Sequence, residues 1–399
     1  MKTVLLISRC PPYPVHLGDR LIIWHLAREL SRRGYTIDLL ALYDRADDPS
    51  LIAEYETFFR HIELIPEARR GNGGYVRRLL LPSARFPATA EGSFCPALWR
   101  TIDQYLSRHD YDLVHCFGTV SVYEFHPLFA RLPNVITPYE SHALYLESAA
   151  RQGQLRARLR LPFARRFESF MFTPYDRTVV ISAADRAMLR QLQPALHIDV
   201  IANGIELERF QPSHRGRDAG TLLFVGNYEY PPNQDAVRVL VEQALPELRR
   251  TIPQARLQLV GLNPPDWMRA LANDQIEVTG SAPDVRPYLA QATVFVCPLR
   301  IGAGLKNKVL EALAMGIPVV ATPLSVDGIQ VRHGESAIVA PVDRIAEETA
   351  RLLRDDALRE RLSRNGRALV EAQYSWARTA DSYERLYDEI SQPSPRRIM

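Results

Sequence analysis

Cys297–Asp327 reads CPLRIGAGLKNKVLEALAMGIPVVATPLSVD. An apolar strand over Val294–Cys297 gives way at Pro298 to a loop holding Gly302 and Gly304. The spacing then predicts a helix over Leu305–Met315, stopped by Gly316, and Ile317-Pro318-Val319-Val320 opens the next strand. A glycine-rich loop feeding a helix N-terminus offers bare N–H groups and the positive end of the helix dipole, which together favour a phosphate. Gly304, Leu305, Lys306, Asn307 and Lys308 stand at that point. The two lysines oppose the dipole, so an anionic ligand explains them better than local stability does. They are also unusual for this chain. Apart from Lys2 they are its only lysines, and the other 46 of its 49 basic residues are arginines (49 − 3). Glu311 lies between apolar neighbours on the same helix and needs partners. A pair of vicinal ribose hydroxyls or a nearby arginine would serve.

Working outward, the second half is a βα series. Strands are expected at Thr221–Val225, Arg256–Val260, Ile276–Thr279, Val294–Cys297 and Val319–Ala321, with a helix over Asn233–Arg250. The polar stretch Ser213–Gly220 (SHRGRDAG) reads as a linker. The first half opens with Thr3–Ser8 (TVLLIS), an apolar run suited to a strand buried on both faces. PPYPVHLGD and a helix follow from Pro11 onward, with Gly34 as the stop, and then a strand over Thr36–Leu42. Shorter strands are expected at Ile62–Ile65, Leu113–Cys116, Val135–Thr137, Thr178–Ser182 and Asp199–Ile201. The whole is α/β with mostly parallel sheets, in two successive domains. Ligands of such sheets bind beyond the carboxyl ends of the strands.

Bulk properties exclude several classes. Four cysteines (Cys10, Cys95, Cys116, Cys297) lie far apart without C-x-x-C spacing, which argues against structural zinc and a disulfide framework and for a reducing cytoplasm. No stretch approaches the ~18 apolar residues of a membrane span. The Thr3–Ser8 run is too short for a secretory leader. Net charge is +3, too small to point to a polyanion, and no reading motif for nucleic acid occurs.

The Cys297–Asp327 stretch resembles the E-x7-E region of the family 4 retaining glycosyltransferases, which have the GT-B fold: two Rossmann-like domains facing a central cleft. The resemblance runs over nearly the whole chain. PPYPVHLGDRLIIWHLARELSRRG is similar to their N-terminal glycine loop and first helix, and DRTVVISAADRAML with DVIANGIELERFQP to their interdomain crossover. LLFVGNYEYPPNQDAVRVL and VTGSAPDVRPYLAQATVFVCPL resemble parts of their second domain. Within the family it looks nearest to sugar transferases of bacterial exopolysaccharide and exosortase-associated systems. The implied division is an acceptor domain over 1–205 and a donor domain over 206–376, with the final helix (377–391) crossing back onto the first domain. The implied activity is transfer of a sugar from a UDP- or GDP-sugar to a hydroxyl of a glycan or lipid-linked acceptor. Anomeric configuration is retained, and no metal or further cofactor is needed.

Residue by residue, the resemblance gives Glu311 to the donor ribose and Lys306 and Lys308 to the diphosphate. Gly18 falls in the loop that covers the phosphates, with Arg20 adding charge. Asn203 and Gly204 line the crossover, and Gly226 and Asn227 the phosphate side of the second domain. Two departures stand out. Ala303 replaces the first glutamate of E-x7-E, and Asn227–Asn233 (NYEYPPN) replaces an Arg/Lys pair. In the first domain the strand-end candidates for sugar contact are His115 and the pair Glu140 and His142, with the pair favoured as catalytic. Ala303 leaves room for two other readings, a non-catalytic nucleotide-sugar-binding partner of another transferase and a GT-B epimerase. Arg151–Arg166 (RQGQLRARLRLPFARR) has six arginines among apolar residues, which suits contact with an anionic membrane surface at its inner face, or simply a solvated helix face.

Overall fold

The computed structural model describes residues 2–15, 18–68, 71–212, 218–282 and 284–392, except for the side chain of Asn72. They form two compact units, one of residues 2–144, 158–202 and 376–392, the other of 145–157 and 203–375. His16 and Leu17 of the PPYPVHLGD stretch lie outside the described residues. So do residues 213–217 of the expected linker, and its last three residues instead begin a strand, Asp218–Asn227.

The first unit holds a seven-stranded parallel sheet: β1 (Thr3–Ser8), β2 (Thr36–Tyr43), β3 (His61–Pro66), β4 (Leu113–Phe117), β5 (Asn134–Tyr139), β6 (Arg177–Val180) and β7 (Ile198–Val200), in the order β3-β2-β1-β4-β5-β6-β7. Its apolar runs are continuous because both faces are covered. Leu5, Ile7, Leu40 and Leu42 pack into one core cluster, and Val4, Leu6, Leu39 and Ala41 into a second. That is the period-two alternation of a strand buried on both sides. The second cluster is completed by the last helix, Trp376–Ser391, which packs on Gly18–Arg32 through Trp376, Ala380, Tyr383, Leu386, Tyr387 and Ile390. These positions recur at helical spacing and form a single stripe.

The second unit holds a six-stranded parallel sheet: β8 (Asp218–Asn227), β9 (Arg256–Leu262), β10 (Ile276–Val278), β11 (Ala292–Cys297), β12 (Val319–Ala321) and β13 (Ile338–Val339), in the order β10-β9-β8-β11-β12-β13. The helix expected over Asn233–Arg250 begins two residues earlier at Pro231, where proline suits the first turn, and passes through a π turn at Leu240–Ala244. In both sheets the strand order reverses beside the first strand of the unit, between β1 and β4 and between β8 and β11. Crevices for ligands open at such reversals. In the second unit the reversal sets the end of β8, Gly226-Asn227, beside the loop that leaves β11 at Cys297.

Candidate functional site

Gly226 and Gly261 face each other in the β8–β9 register, and a Cβ on Gly261 would lie 1.9 Å from the Gly226 carbonyl oxygen. This close approach fixes the end of β8. The chain turns through Tyr228–Tyr230 into the helix Pro231–Val239, whose Asn233 reaches back. Its Nδ2 donates to the Asn227 carbonyl at 2.7 Å, and its Oδ1 accepts from Lys308 Nζ at 2.6 Å. Lys308 also lies 4.5 Å from the centre of the Phe224 ring. Burial pushes the Lys308 ammonium down to about 8. Cys297 and Glu311 oppose that fall, and Lys306 adds to it.

The loop after β11 is held from below by the end of the same motif. Ser325 Oγ donates to the Cys297 carbonyl at 2.6 Å and accepts from Leu299 N at 3.1 Å, and Thr322 Oγ1 donates to the Leu299 carbonyl at 2.7 Å. Gly302 (φ 145°) and Gly304 (φ 67°) take conformations closed to other residues, and Gly302 N donates to Ser148 Oγ at 3.0 Å. The helix is Asn307–Ala314, so Lys306 is its N-cap rather than a first-turn residue, and no side chain caps that end. Lys306 Nζ curls onto its own loop, donating to the carbonyls of Ala303, at 2.7 Å, and Gly304. Asn307 Oδ1 accepts from Nδ2 of the buried Asn203 at 3.2 Å, and Asn203 Oδ1 is buried without a partner. Gly204 and Leu305 are buried beside them in sequence. At the other end Gly316 (φ 62°) closes the helix, while Arg367 donates to the Ala314 carbonyl at 2.6 Å.

Glu311 sits one turn into this braced helix, half-buried, and its carboxylate makes no hydrogen bond or ion pair among the described residues. The arginine alternative therefore reduces to distant attraction. Burial pushes the carboxyl up to about 6, opposed first by Lys308 and then by Arg209. An acceptor-only group, partly removed from water and unpaired, is suited to a pair of hydroxyls.

In the first unit, two expected site residues are structural. His115 is fully buried, its Nδ1 2.7 Å from Tyr387 Oη and its Nε2 2.8 Å from Thr137 Oγ1, and burial pushes it down to about 3. It joins β4 to the last helix and is closed to any sugar. Arg20 is buried in a bidentate pair with Asp48 (2.5 and 3.0 Å) and bonds the Tyr13 carbonyl, so its charge is already neutralised. Gly18 is exposed at the start of its helix.

Glu140 and His142 fare differently. Tyr139 takes φ 68°, a strained value for a bulky residue, and the chain turns there into the helix His142–Arg151. The exposed His142 begins that helix, beside the half-buried Glu140. The helix start is held by a residue that spacing could not reveal. The carboxylate of buried Glu168 accepts from His142 N at 2.6 Å and Ser141 Oγ at 2.7 Å, and Asp185 Oδ1 accepts from Ser141 N at 2.8 Å. Burial pushes Glu168 up to about 7 against those donors. Partial burial and then Arg160 push His142 down. Asn233 was equally hidden, although the glycine seven residues before it marks a close approach.

Among the described residues no group of three or more His, Cys, Asp or Glu is placed to hold a metal ion, and no helix is long and apolar enough to cross a membrane. All four cysteines are free and buried.

Comparison with known proteins matches residues 21–209 to the family described as Glycosyltransferase Family 4, and residues 219–355 to Glycosyl transferases group 1. The chain is 28% identical to the phosphatidyl-myo-inositol mannosyltransferase of Mycobacterium tuberculosis over 409 aligned positions, 96% of each chain. It is 31% identical to the D-inositol 3-phosphate glycosyltransferase of Frankia alni over 251 positions, 55% of this chain and 60% of that one. Among solved structures it resembles sucrose-phosphate synthase from Thermosynechococcus elongatus (TM-score 0.76, 22% identity, 98% and 99% covered). It also resembles Anabaena Alr3699/HepE in complex with UDP and glucose (TM-score 0.66, 15% identity, 98% and 100% covered).

Proposed function

We propose that the chain, which has the GT-B fold, is a family 4 glycosyltransferase, a retaining, metal-independent hexosyltransferase with a lipid-linked or glycan acceptor. It moves a sugar from a nucleotide-sugar donor to a hydroxyl. The observation that supports the site is the pairing on one helix of an unpartnered Glu311 with an uncapped N-terminus flanked by Lys306 and Lys308. In this reading Glu311 accepts from the ribose hydroxyls. Lys308 and the free amides meet the diphosphate, and Lys306 leaves its loop carbonyls to join them. Their charge stabilises the departing diphosphate as the bond to the anomeric carbon breaks. The acceptor oxygen bonds that carbon on the same face and passes its proton to the leaving phosphate oxygen, so configuration is kept. Glu140 and His142 are assigned to the transferred sugar. Ala303 is buried, and its carbonyl is engaged by Lys306, so the sugar hydroxyls find no carboxylate at that position.

The mycobacterial relatives' names support a mannosyl donor and a phosphoinositide-like acceptor, and the exopolysaccharide-type resemblance supports a lipid-linked sugar. Either acceptor would bring a cytoplasmic enzyme to the inner face of a membrane, a contact that Arg151–Arg166 favours. The test is transfer by the purified protein from GDP-mannose and UDP-glucose to lipid extracts, in EDTA, with the product's anomeric configuration read by NMR. A retained α-linkage without metal is expected. An inverted product, or activity restored only by Mg²⁺ or Mn²⁺, would overturn the mechanism, and donor binding without turnover would favour the non-catalytic partner.

A further inference from the structure

Ser148 stands three residues after Tyr145, on the same side of the helix His142–Arg151. Both fall in the segment 145–157, which belongs to the second unit together with the loops it touches. Ser148 Oγ donates to the Tyr145 carbonyl at 2.7 Å and accepts from Gly302 N at 3.0 Å. The Tyr145 ring stacks on Tyr230, with centres 6.1 Å apart and planes at 25°. Tyr230 in turn sets Asn233, whose N donates to the Tyr230 carbonyl at 3.0 Å. One side of one helix therefore touches both the turn before Asn233 and the loop before Lys306.

That loop uses its polar groups unevenly. Gly302, Ala303, Gly304 and Leu305 are all buried. Among the described residues only the Gly302 amide donates a hydrogen bond, and the next three N–H groups have no partner. Buried N–H groups without partners are rare, so these three are suited to a ligand. The carbonyls of Ala303 and Gly304 are already engaged by Lys306 Nζ, and no side chain from Gly302 to Leu305 can accept a hydrogen bond. A sugar hydroxyl, which both donates and accepts, needs an acceptor there as well. Ser148 Oγ supplies one. Its single proton is committed to Tyr145 and one lone pair to Gly302, which leaves the second lone pair. The residue is only half-buried, so a ligand can reach it.

We propose that Ser148 is a specificity-determining residue for the donor sugar. It holds Gly302 in place and accepts a hydrogen bond from one hydroxyl of the transferred sugar, the contact that Ala303 cannot give. Tyr145 is a positioning residue, because its carbonyl fixes the Ser148 proton and its ring fixes the helix against Tyr230. The inference rests on the transferase reading and deepens it. A neutral oxygen stands in for a carboxylate, so the contact is weaker than a charged one but has a fixed direction. An epimeric donor whose hydroxyl points elsewhere leaves the lone pair unmet and is bound less well.

The experiment is titration calorimetry with UDP, GDP and two pairs of epimeric donors, UDP-glucose with UDP-galactose and GDP-mannose with GDP-glucose. It reads binding alone, so it does not depend on turnover. Wild type should prefer one member of a pair by about tenfold. Ser148→Ala should bind that donor about tenfold more weakly, the loss of one hydrogen bond, and so level the pair. Its affinity for UDP or GDP, which lack the sugar, should match wild type. Ser148→Thr should restore the preference, because a threonine hydroxyl on a helix bonds the carbonyl three residues back in the same way. Ser148→Ala weakening nucleoside diphosphate as much as nucleotide sugar would make Ser148 a loop support and overturn the proposal. A Ser148→Ala protein that melts lower but keeps the preference, or a wild type with no preference, would overturn it too. Wild type binding neither UDP nor GDP would instead overturn the transferase reading itself.

Discussion

Lys308 donates its ammonium to Asn233 Oδ1 at 2.6 Å, joining the helix that follows β11 to the one that follows β8. No carboxylate takes part in the join, so the charge remains available to an anion. Lys308 is held down to about 8 and Glu311 up to about 6, which on the proposed site assignment sets a pH window for the donor. Below about 6 Glu311 gains a proton and no longer accepts from two hydroxyls. Above about 8 Lys308 loses the charge that a diphosphate needs, and diphosphate binding there should take up a proton. Nucleoside-diphosphate affinity, measured by calorimetry across this range, should peak between the two values. Glu311→Gln should remove the acid limb, apart from the phosphate's own titration, and leave the alkaline limb in place. An alkaline limb absent from wild type would detach Lys308 from the diphosphate.

Gly226→Ala tests the same join sterically. The added Cβ would lie 2.9 Å from Asn233 Cγ and 3.1 Å from Lys308 Nζ, so both side chains must move. Since these are side-chain ends rather than backbone, the stability cost should be modest, about 1 kcal/mol. Nucleoside-diphosphate affinity should fall by about tenfold, the loss of one charge-assisted contact. Unchanged affinity with a large fall in melting temperature would make the Lys308–Asn233 contact purely structural.

The fold was legible because each sheet is buried on both faces, so its strands read as apolar runs and its turns as glycine and proline punctuation. β1 and β12 have the expected bounds, the other expected strands differ by a few residues at their ends, and the two-residue edge strand β13 was not expected. The loop, the helix start and Glu311 were legible together for a local reason, since they are contiguous in the chain. What escaped was long-range pairing. Arg20 reads as a free cation until Asp48, 28 residues on, folds against it, and His115 reads as a strand-end imidazole until Tyr387 closes over it. Glu168 was invisible because its role depends on a helix start 26 residues earlier.

Glu168 should leave a trace in the pH dependence of stability. Its carboxyl is raised from 4.5 to about 7 by burial. A raised acid contributes stability that is full below the unfolded value and is lost as pH climbs, until the folded form ionises near 7. Unfolding free energy should therefore fall by roughly 3 kcal/mol from this group between those values. Glu168→Gln, which can still accept from His142 N, should flatten that part of the profile. Chemical denaturation at a series of pH values measures it, and an unaltered slope in the variant would assign the titration elsewhere.

His115→Ala separates structure from chemistry. It strips partners from Tyr387 and Thr137 and opens a space in a packed core, which should cost about 2–4 kcal/mol. The folded fraction should turn over donor at nearly the wild-type kcat, because the imidazole is fully buried. A stable variant with strongly reduced kcat would return His115 to the reaction.

Lys306 and Glu311 should fail in different ways when replaced. On the proposed assignment, Lys306→Ala removes a cation whose value rises as the leaving diphosphate gains charge, so kcat should fall along with donor affinity. On the same assignment, Glu311→Ala removes contacts to a ribose that does not change during reaction, so it should act mainly on KM. Their stabilities should also differ. From the sequence alone, removing a cation from a helix N-terminus should cost nothing. In the folded chain, however, Lys306 bonds the carbonyls of Ala303 and Gly304, so Lys306→Ala should destabilise the apo protein by about 1 kcal/mol. Glu311 has no such partner, and Glu311→Ala should melt no lower than wild type, since it removes an unpaired, half-buried carboxylate. Melting with and without UDP and GDP, alongside donor kinetics, resolves the four outcomes. A Lys306→Ala protein that melts lower but keeps normal kcat and KM would make the lysine a loop clamp and sink its assignment to the diphosphate.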